Sequence, residues 1–153
     1  MASPELSLAV QFASAADTLP SRGQIRRWVA AALEHAAEIT VRIVDADEAQ
    51  ALNQDYRDKG YVPNVLTFEY GELPSNKSGA PVLAGDVVIC APVVEREARE
   101  QGKSLQQHYA HLTIHGVLHL QGYDHLDPAD ADIMETREAA ILKRFHIPNP
   151  YTS

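Results

Sequence analysis

Residues 115–125 read His-Gly-Val-Leu-His-Leu-Gln-Gly-Tyr-Asp-His, and this run constrains the fold more than any other. Two histidines four apart on a helix project from one face, one turn above the other. Gly122, three residues past the second, can end the helix with a positive φ, and the turn it permits brings His125 back toward the same point. Neutral imidazole is a standard zinc ligand, and three such ligands leave a tetrahedral ion with one open position, as in catalytic rather than structural sites. The chain is therefore expected to build a long helix ending at Gly122, with space beside its last turn.

The rest of that helix supports the reading. At 3.6 residues per turn, His108, His111, His115 and His119 share about a quarter of the circumference. Ala110, Thr113, Ile114, Val117 and Leu120 occupy the opposite arc, which gives a core-facing back and a histidine-lined front. Gly116 lies beside that front, where a missing side chain is expected to leave room near the ion. His108 and His111 are expected to be supporting or surface groups rather than ligands.

The same spacing occurs in metzincin metalloproteases, which carry a glutamate directly after the first histidine as the general base. Here that position is Gly116. Met134 lies downstream, but its surroundings read as helix and not as a tight Met-turn. A metzincin-like metalloprotease or other amide hydrolase is thus a second reading and not the first.

Local patterns give the other elements. Leu6, Leu8, Val10 and Phe12 alternate with polar residues, a strand rather than a secretory segment, since Glu5 and Gln11 intrude. Pro20-Ser21 opens a helix with Ile25, Trp28, Val29, Ala32 and Leu33 on one side. Residues 39–45 form a second strand, and Asp45 or Asp47 caps a helix that ends near Arg57, Lys59 and Gly60. Residues 65–70 form a third strand, 71–84 a long loop rich in turn formers, and 85–90 a fourth strand. Pro92 begins a helix over 93–101 that Gly102 ends; Ser104 caps the histidine helix; Asp127-Pro128 starts a last helix to about Arg144. Strands come first and helices gather at the end. The fold class is α+β: one domain over residues 1–153, with about four strands in a mixed sheet, about five helices, and a mainly helical C-terminal half.

The single cysteine, Cys90, excludes an internal disulfide framework and cysteine-only zinc sites, and fits a reducing compartment. No apolar stretch reaches the roughly 20 residues that a spanning helix needs, so a cytoplasmic location without a membrane partner is expected.

Beyond the histidines, the sequence resembles the YbeY family of bacterial rRNA maturation factors, single-strand-specific metallo-endoribonucleases. The likeness is densest in His111–His125 (HLTIHGVLHLQGYDH). It extends to Leu52-Asn53, Tyr56-Arg57, Val65-Leu66-Thr67-Phe68 and Gly85-Asp86-Val87-Val88-Ile89, then downstream to Met134-Glu135 and Ile141-Leu142, covering residues 40–145. The resemblance implies one Zn2+ per chain held by His115, His119 and His125, and a conserved arginine at Arg57. It also implies action on single-stranded rRNA precursors, at the 3′ end of 16S rRNA and in ribosome quality control, with the small ribosomal subunit and assembly factors as partners and no DNA. One departure stands out. Where the family usually has Thr-Asp before the third strand, this chain has Pro63-Asn64, and Asn64 can replace only the hydrogen bonding of the missing acid.

Phosphodiester cleavage needs a nucleophile and stabilisation of the charge that develops on the phosphoryl oxygens. A three-histidine ion can ionise water and polarise a phosphoryl oxygen, and Arg57 can offer a planar, permanently charged fork to phosphate. Asp124 either orients a neighbouring imidazole or faces water, and His111 is a candidate general acid. A non-catalytic, metal-stabilised module that binds the ribosome is the third reading. The charge of -8, from 13 Lys+Arg against 21 Asp+Glu, weighs against binding RNA by bulk attraction. The positive residues (Arg22, Arg26 and Arg27; Arg57 and Lys59; Arg96, Arg99 and Lys103) are scattered along the sequence. Affinity for RNA alone is expected to be weak, with specificity coming from docking on the small subunit.

Overall fold

A computed structural model describes residues 4–73 and 81–152. Among these residues the chain runs β1 (Leu6–Ala13), α1 (Arg22–Ala32), β2 (Ala37–Val44), α2 (Ala46–Arg57), β3 (Val65–Leu73), β4 (Val82–Cys90), α3 (Ala91–Gln101), α4 (Leu105–Leu120) and α5 (Pro128–Lys143). The strands form one sheet in the order β1-β2-β4-β3. The first three in that order are parallel, and β3 pairs antiparallel with β4. This is the expected α+β fold with a mixed sheet and a mainly helical second half.

Alternation along the strands decides what each face covers. Val87 and Ile89 of β4 join Ile39, Val41 and Ile43 of β2 in the main core, beneath α1, α4 and α5. Val88 and Cys90 point the other way and pack with Val44, Leu66, Ala49 and Val93 in a smaller core on the α2 side. A strand buried on both faces loses the polar alternation of a one-sided strand, which is why β4 reads as a continuous apolar run from Val87 to Cys90.

Helix starts follow local chemistry. Ser21 and Gln24 form a reciprocal capping box, Ser104 accepts from the backbone of Gln107, and Asp127 accepts from Ala129 and Asp130. Asp45 stands at the N-cap position of α2 but makes no side-chain cap bond. Its carboxylate instead accepts from Ser14 Oγ (2.5 Å) and from the Ala15 backbone N–H (3.0 Å). So Asp45 ties the end of β1 to the start of α2.

Two expectations need correction. Residues 71–84 are not one long loop: β3 continues to Leu73 and β4 begins at Val82, with Leu73 opposite Val82 and Glu72 opposite Leu83. A register shift between Glu69 and Gly71 accommodates Tyr70 as an extra residue. Gly71 takes a positive φ there, so a glycine that looked like loop sits at a bulge. Residues 74–80 of that expected loop lie outside the described residues.

The second correction concerns α4. This helix touches α1, α3, α5, β3 and β4, and its supposed front is not open along its length. His108 is only 2% exposed. Gly116 does not leave space at the ion: a Cβ there would lie 2.8 Å from Val87 Cγ1 and 3.4 Å from Thr67 Cγ2. The missing side chain lets α4 sit directly on the β3–β4 surface, which fixes the height of His115 and His119 above the sheet.

Candidate metal centre

The last turn of α4 builds the centre from backbone rules. Gly122 adopts φ 102, a region that disfavours residues with a Cβ. With Gln121 as C-cap, the Gly122 N–H bonds to the His119 carbonyl (3.1 Å) and the Tyr123 N–H to the Leu118 carbonyl (3.2 Å). This pair of bonds is the Schellman motif. It turns the chain back over the helix end and carries Asp124 and His125 toward His119. Asp124 Oδ1 accepts from the His125 backbone N–H at 2.7 Å and steadies the return.

The turn brings the three sequence-predicted imidazoles together. The His125 ring centroid lies 5.3 Å from that of His115 and 6.1 Å from that of His119. Ligand atoms of His119, Asp124 and His125 all fall within 4.8 Å of one another. His115 is not in that tightest group. The predicted trio and the tightest donor set therefore share His119 and His125 and differ in the third member.

Hydrogen bonds at the far ring nitrogens bear on which donors are free. His119 Nδ1 faces the Tyr123 carbonyl at 3.0 Å, so the Schellman turn also selects the tautomer that leaves Nε2 with a lone pair. His115 Nδ1 bonds to Glu138 Oε1, with the same result. A carboxylate or carbonyl on the distal nitrogen is the usual support of a metal-ligating histidine. The donor set thus fits a divalent cation that accepts neutral imidazole, on the strength of these tautomers and the convergence of rings.

Glu138 is the residue that sequence reasoning missed. It is fully buried on α5, and its carboxylate receives His115 Nδ1, the Tyr151 hydroxyl and, at 3.4 Å, His111 Nε2. Burial acts to raise its pKa, but the bonds from His111, His115 and Tyr151 and the attraction of His115 outweigh it and hold it down at about 2. The sequence did carry a signal. Met134, Glu138, Ile141 and Leu142 are the buried residues of α5, so an acid stands inside a helix's apolar stripe.

The centre opens into a cleft of about 770 Å³ whose walls include Arg57, Tyr61, Arg96, His115, His119 and His125. Arg57, the last residue of α2, is exposed there, and among the described residues it makes no ion pair. Arg96 of α3 shares the cleft, so two of the scattered positives meet in space. Asp124 also lines the wall. His111 does not: it is turned toward Glu138 and Tyr151.

Asn64 lines the cleft as well and donates from Nδ2 to Glu97 Oε1 at 3.1 Å. The same Glu97 oxygen meets His108 Nε2 at 2.8 Å. Asparagine can donate here, whereas an ionised aspartate would set a second carboxylate against Glu97. Burial lowers the pKa of His108 more than Glu97 raises it, so the ring is held neutral.

The family model described as Endoribonuclease YbeY matches residues 13–146. The chain belongs to the endoribonuclease YbeY family. A YbeY relative named Endoribonuclease YbeY, from Thiobacillus denitrificans, is 81% identical over 151 residues, covering 98% of this chain and 99% of the relative. Another YbeY protein, from Nitrosospira multiformis, is 52% identical over 155 residues, covering 96% of this chain and 82% of its own. The solution structure of TM1509 from Thermotoga maritima matches with a TM-score of 0.51 at 20% identity, over 94% of this chain and 99% of that one; that likeness concerns the fold alone. Among the described residues, no helix is long and apolar enough to cross a membrane.

Proposed function

We propose that the chain is a zinc-dependent endoribonuclease that cuts single-stranded RNA in the cleft between α2, α3 and the end of α4. His115, His119 and His125 are the proposed ligands of one Zn2+, and Arg57 the proposed phosphate contact. One observation carries the reading: three imidazoles, two with their distal nitrogens already engaged, face the same cleft as an exposed arginine that has no carboxylate partner among the described residues. When bound, such an ion polarises a phosphoryl oxygen and lowers the pKa of water. The chain's own residues do the rest. Arg57 and Arg96 attract the strand's phosphates, and the Arg57 fork can hold two oxygens as charge develops. Asp124 Oδ1 accepts from the His125 backbone N–H, which keeps the returning turn in place.

Family membership supports an RNA substrate, and the resemblance in sequence supports rRNA precursors, including the 3′ end of 16S rRNA, as cytoplasmic targets met on the small ribosomal subunit or its assembly factors. Peptide hydrolysis finds no support at position 116, where a side chain would run into Val87.

The test is cleavage of a single-stranded RNA by the zinc-loaded protein. Arg57→Ala should fold normally and lose rate by about 10²–10³, the scale of removing one charge-stabilising donor. Asp124→Asn should keep zinc affinity within a few fold. Cleavage that persists after chelation and in His119→Ala would refute the reading. A hundredfold loss of zinc affinity in Asp124→Asn would make that carboxylate a fourth ligand and favour a non-catalytic site.

A further inference from the structure

The segment after α5 returns to the metal centre. His146 takes φ 60, and the Ile147 N–H bonds to the Leu142 carbonyl at 3.1 Å, which seats Phe145 and Ile147 against the core. Pro148-Asn149-Pro150 follows. The two prolines restrict the backbone on either side of Asn149, and Asn149 Oδ1 accepts from the Tyr151 N–H at 2.9 Å. Such a turn loses little freedom on ordering, so it presents Tyr151 at a fixed place. The Tyr151 ring stands edge-on to His111, with centroids 5.4 Å apart and planes at 88°. Its outer edge remains in solvent while its hydroxyl reaches the buried Glu138.

Counting protons fixes the direction of each bond. The Tyr151 hydroxyl donates to Glu138 Oε2. Its lone pair then receives His111 Nε2–H, 3.0 Å away. That leaves His111 Nδ1 as the proton-free nitrogen, and it is buried with no partner among the described residues. Glu138 Oε1 is free to accept only from His115 Nδ1–H, which keeps the His115 Nε2 lone pair for the cleft. Were the hydroxyl absent, Oε2 would retain only the 3.4 Å approach of His111, and the carboxylate could rotate away from His115.

We propose that Tyr151 is a positioning residue of the metal centre: by holding Glu138 Oε2 it keeps Oε1 on His115 Nδ1, and so sets the affinity of the site for a divalent cation. The inference rests on the reading of His115 as a ligand given above. It makes the Pro-Asn-Pro-Tyr segment part of the site, although its tyrosine lies 26 residues beyond His125 and acts through Glu138.

The test measures zinc affinity by competition with a chromophoric chelator, without RNA. Tyr151→Phe should bind zinc about tenfold more weakly, the lower end of the 10–100-fold range for partners of metal-ligating histidines. Tyr70→Phe, which loses an exposed hydroxyl bond to Asp86 at 2.7 Å on β3, should bind as the wild type does. In the metal-free protein, 15N spectra should show His115 as a single Nδ1–H tautomer in the wild type and as a mixture in Tyr151→Phe. If Tyr151→Phe does not fold, Asn149→Ala carries the test: it keeps the hydroxyl but loosens the turn, and should lower affinity by a smaller factor. Unchanged affinity in the folded variant overturns the proposal. So does weaker binding with the tautomer unchanged, which would mean general loosening. A wild-type protein that binds no zinc overturns the reading of the site itself, a result distinct from either.

Discussion

Replacing Glu138 by glutamine tests whether one buried carboxylate organises the centre. Both oxygens are used: Oε1 by His115, and Oε2 by Tyr151 and His111. Glutamine keeps the volume and one acceptor but turns an N–H2 toward two groups that now donate to an oxygen. The fall of the pKa from 4.5 to about 2 corresponds to about 3 kcal/mol of stability at neutral pH. Some of it returns if the Tyr151 hydroxyl reverses its bond, so Glu138→Gln should cost about 2–3 kcal/mol. With a typical urea slope this moves the midpoint down by roughly 1 M. Urea titration of chelator-treated protein keeps metal out of the comparison. The sign of the pH dependence follows from the direction of the shift. The folded value lies below the unfolded one, so the wild-type advantage is complete well above 4.5 and is lost as pH falls toward 2. The gap between the two proteins should narrow by about 2 kcal/mol between pH 7 and pH 3. A gap below about 0.5 kcal/mol at pH 7, or one that does not change with pH, would refute the reasoning.

His108 offers a second pH test with the opposite ionisation. Burial lowers its pKa below 6.5 in the fold, so the unfolded chain takes up the proton first. Its stabilising contribution is complete above 6.5 and is lost as pH drops, by at most about 1.4 kcal/mol per pH unit. Urea midpoints at pH 7.5 and 5.5 should show a steeper fall for the wild type than for His108→Gln, and parallel lines would contradict this. Gly116→Ala should destabilise the protein by about 1–2 kcal/mol despite alanine's better helix propensity, because its Cβ meets a stiff, branched valine. Val87→Ala in the same chain should restore part of the loss, measured as a double-mutant cycle.

The contrast between what the sequence revealed and what it concealed follows the range of the forces. Ser21, Ser104, Asp127, Pro92 and Gly102 act on the backbone within four residues, and each marks its helix end where expected. The His115–His119–Gly122–His125 pattern was legible for the same reason: helix periodicity and one positive φ generate it locally. The ends of β3 and β4 were not legible, since Gly71 and Pro81 carry turn chemistry while pairing with β2 and across the hairpin decides the outcome. Glu138 is 23 residues from His115, and only the packing of α5 on α4 joins them. Its trace was an acid in an apolar stripe, a mark that a buried charge must have partners. Tyr151 left only a proline-bracketed turn. The wheel placed His108 and His111 on one front with the proposed ligands His115 and His119, because a wheel shows direction and not what α3 and α5 bring against it.

Net charge says less about the cleft than about the chain as a whole. A total of -8 describes the whole surface, but salt screens charges beyond about 8 Å at physiological ionic strength. A phosphate in the cleft would therefore meet Arg57, Arg96 and the imidazoles against Glu97 and Asp124, the two acids in its lining. The same count limits what the cleft can do. Two arginines on single-stranded RNA give a salt dependence of only about -1.4 in log-log slope, too little phosphate contact for tight binding. Cleavage chemistry can be local to this cleft, but on this reasoning the free energy that brings a particular RNA into it must come from elsewhere, which is why a docking partner belongs in the proposed function rather than a stronger RNA groove.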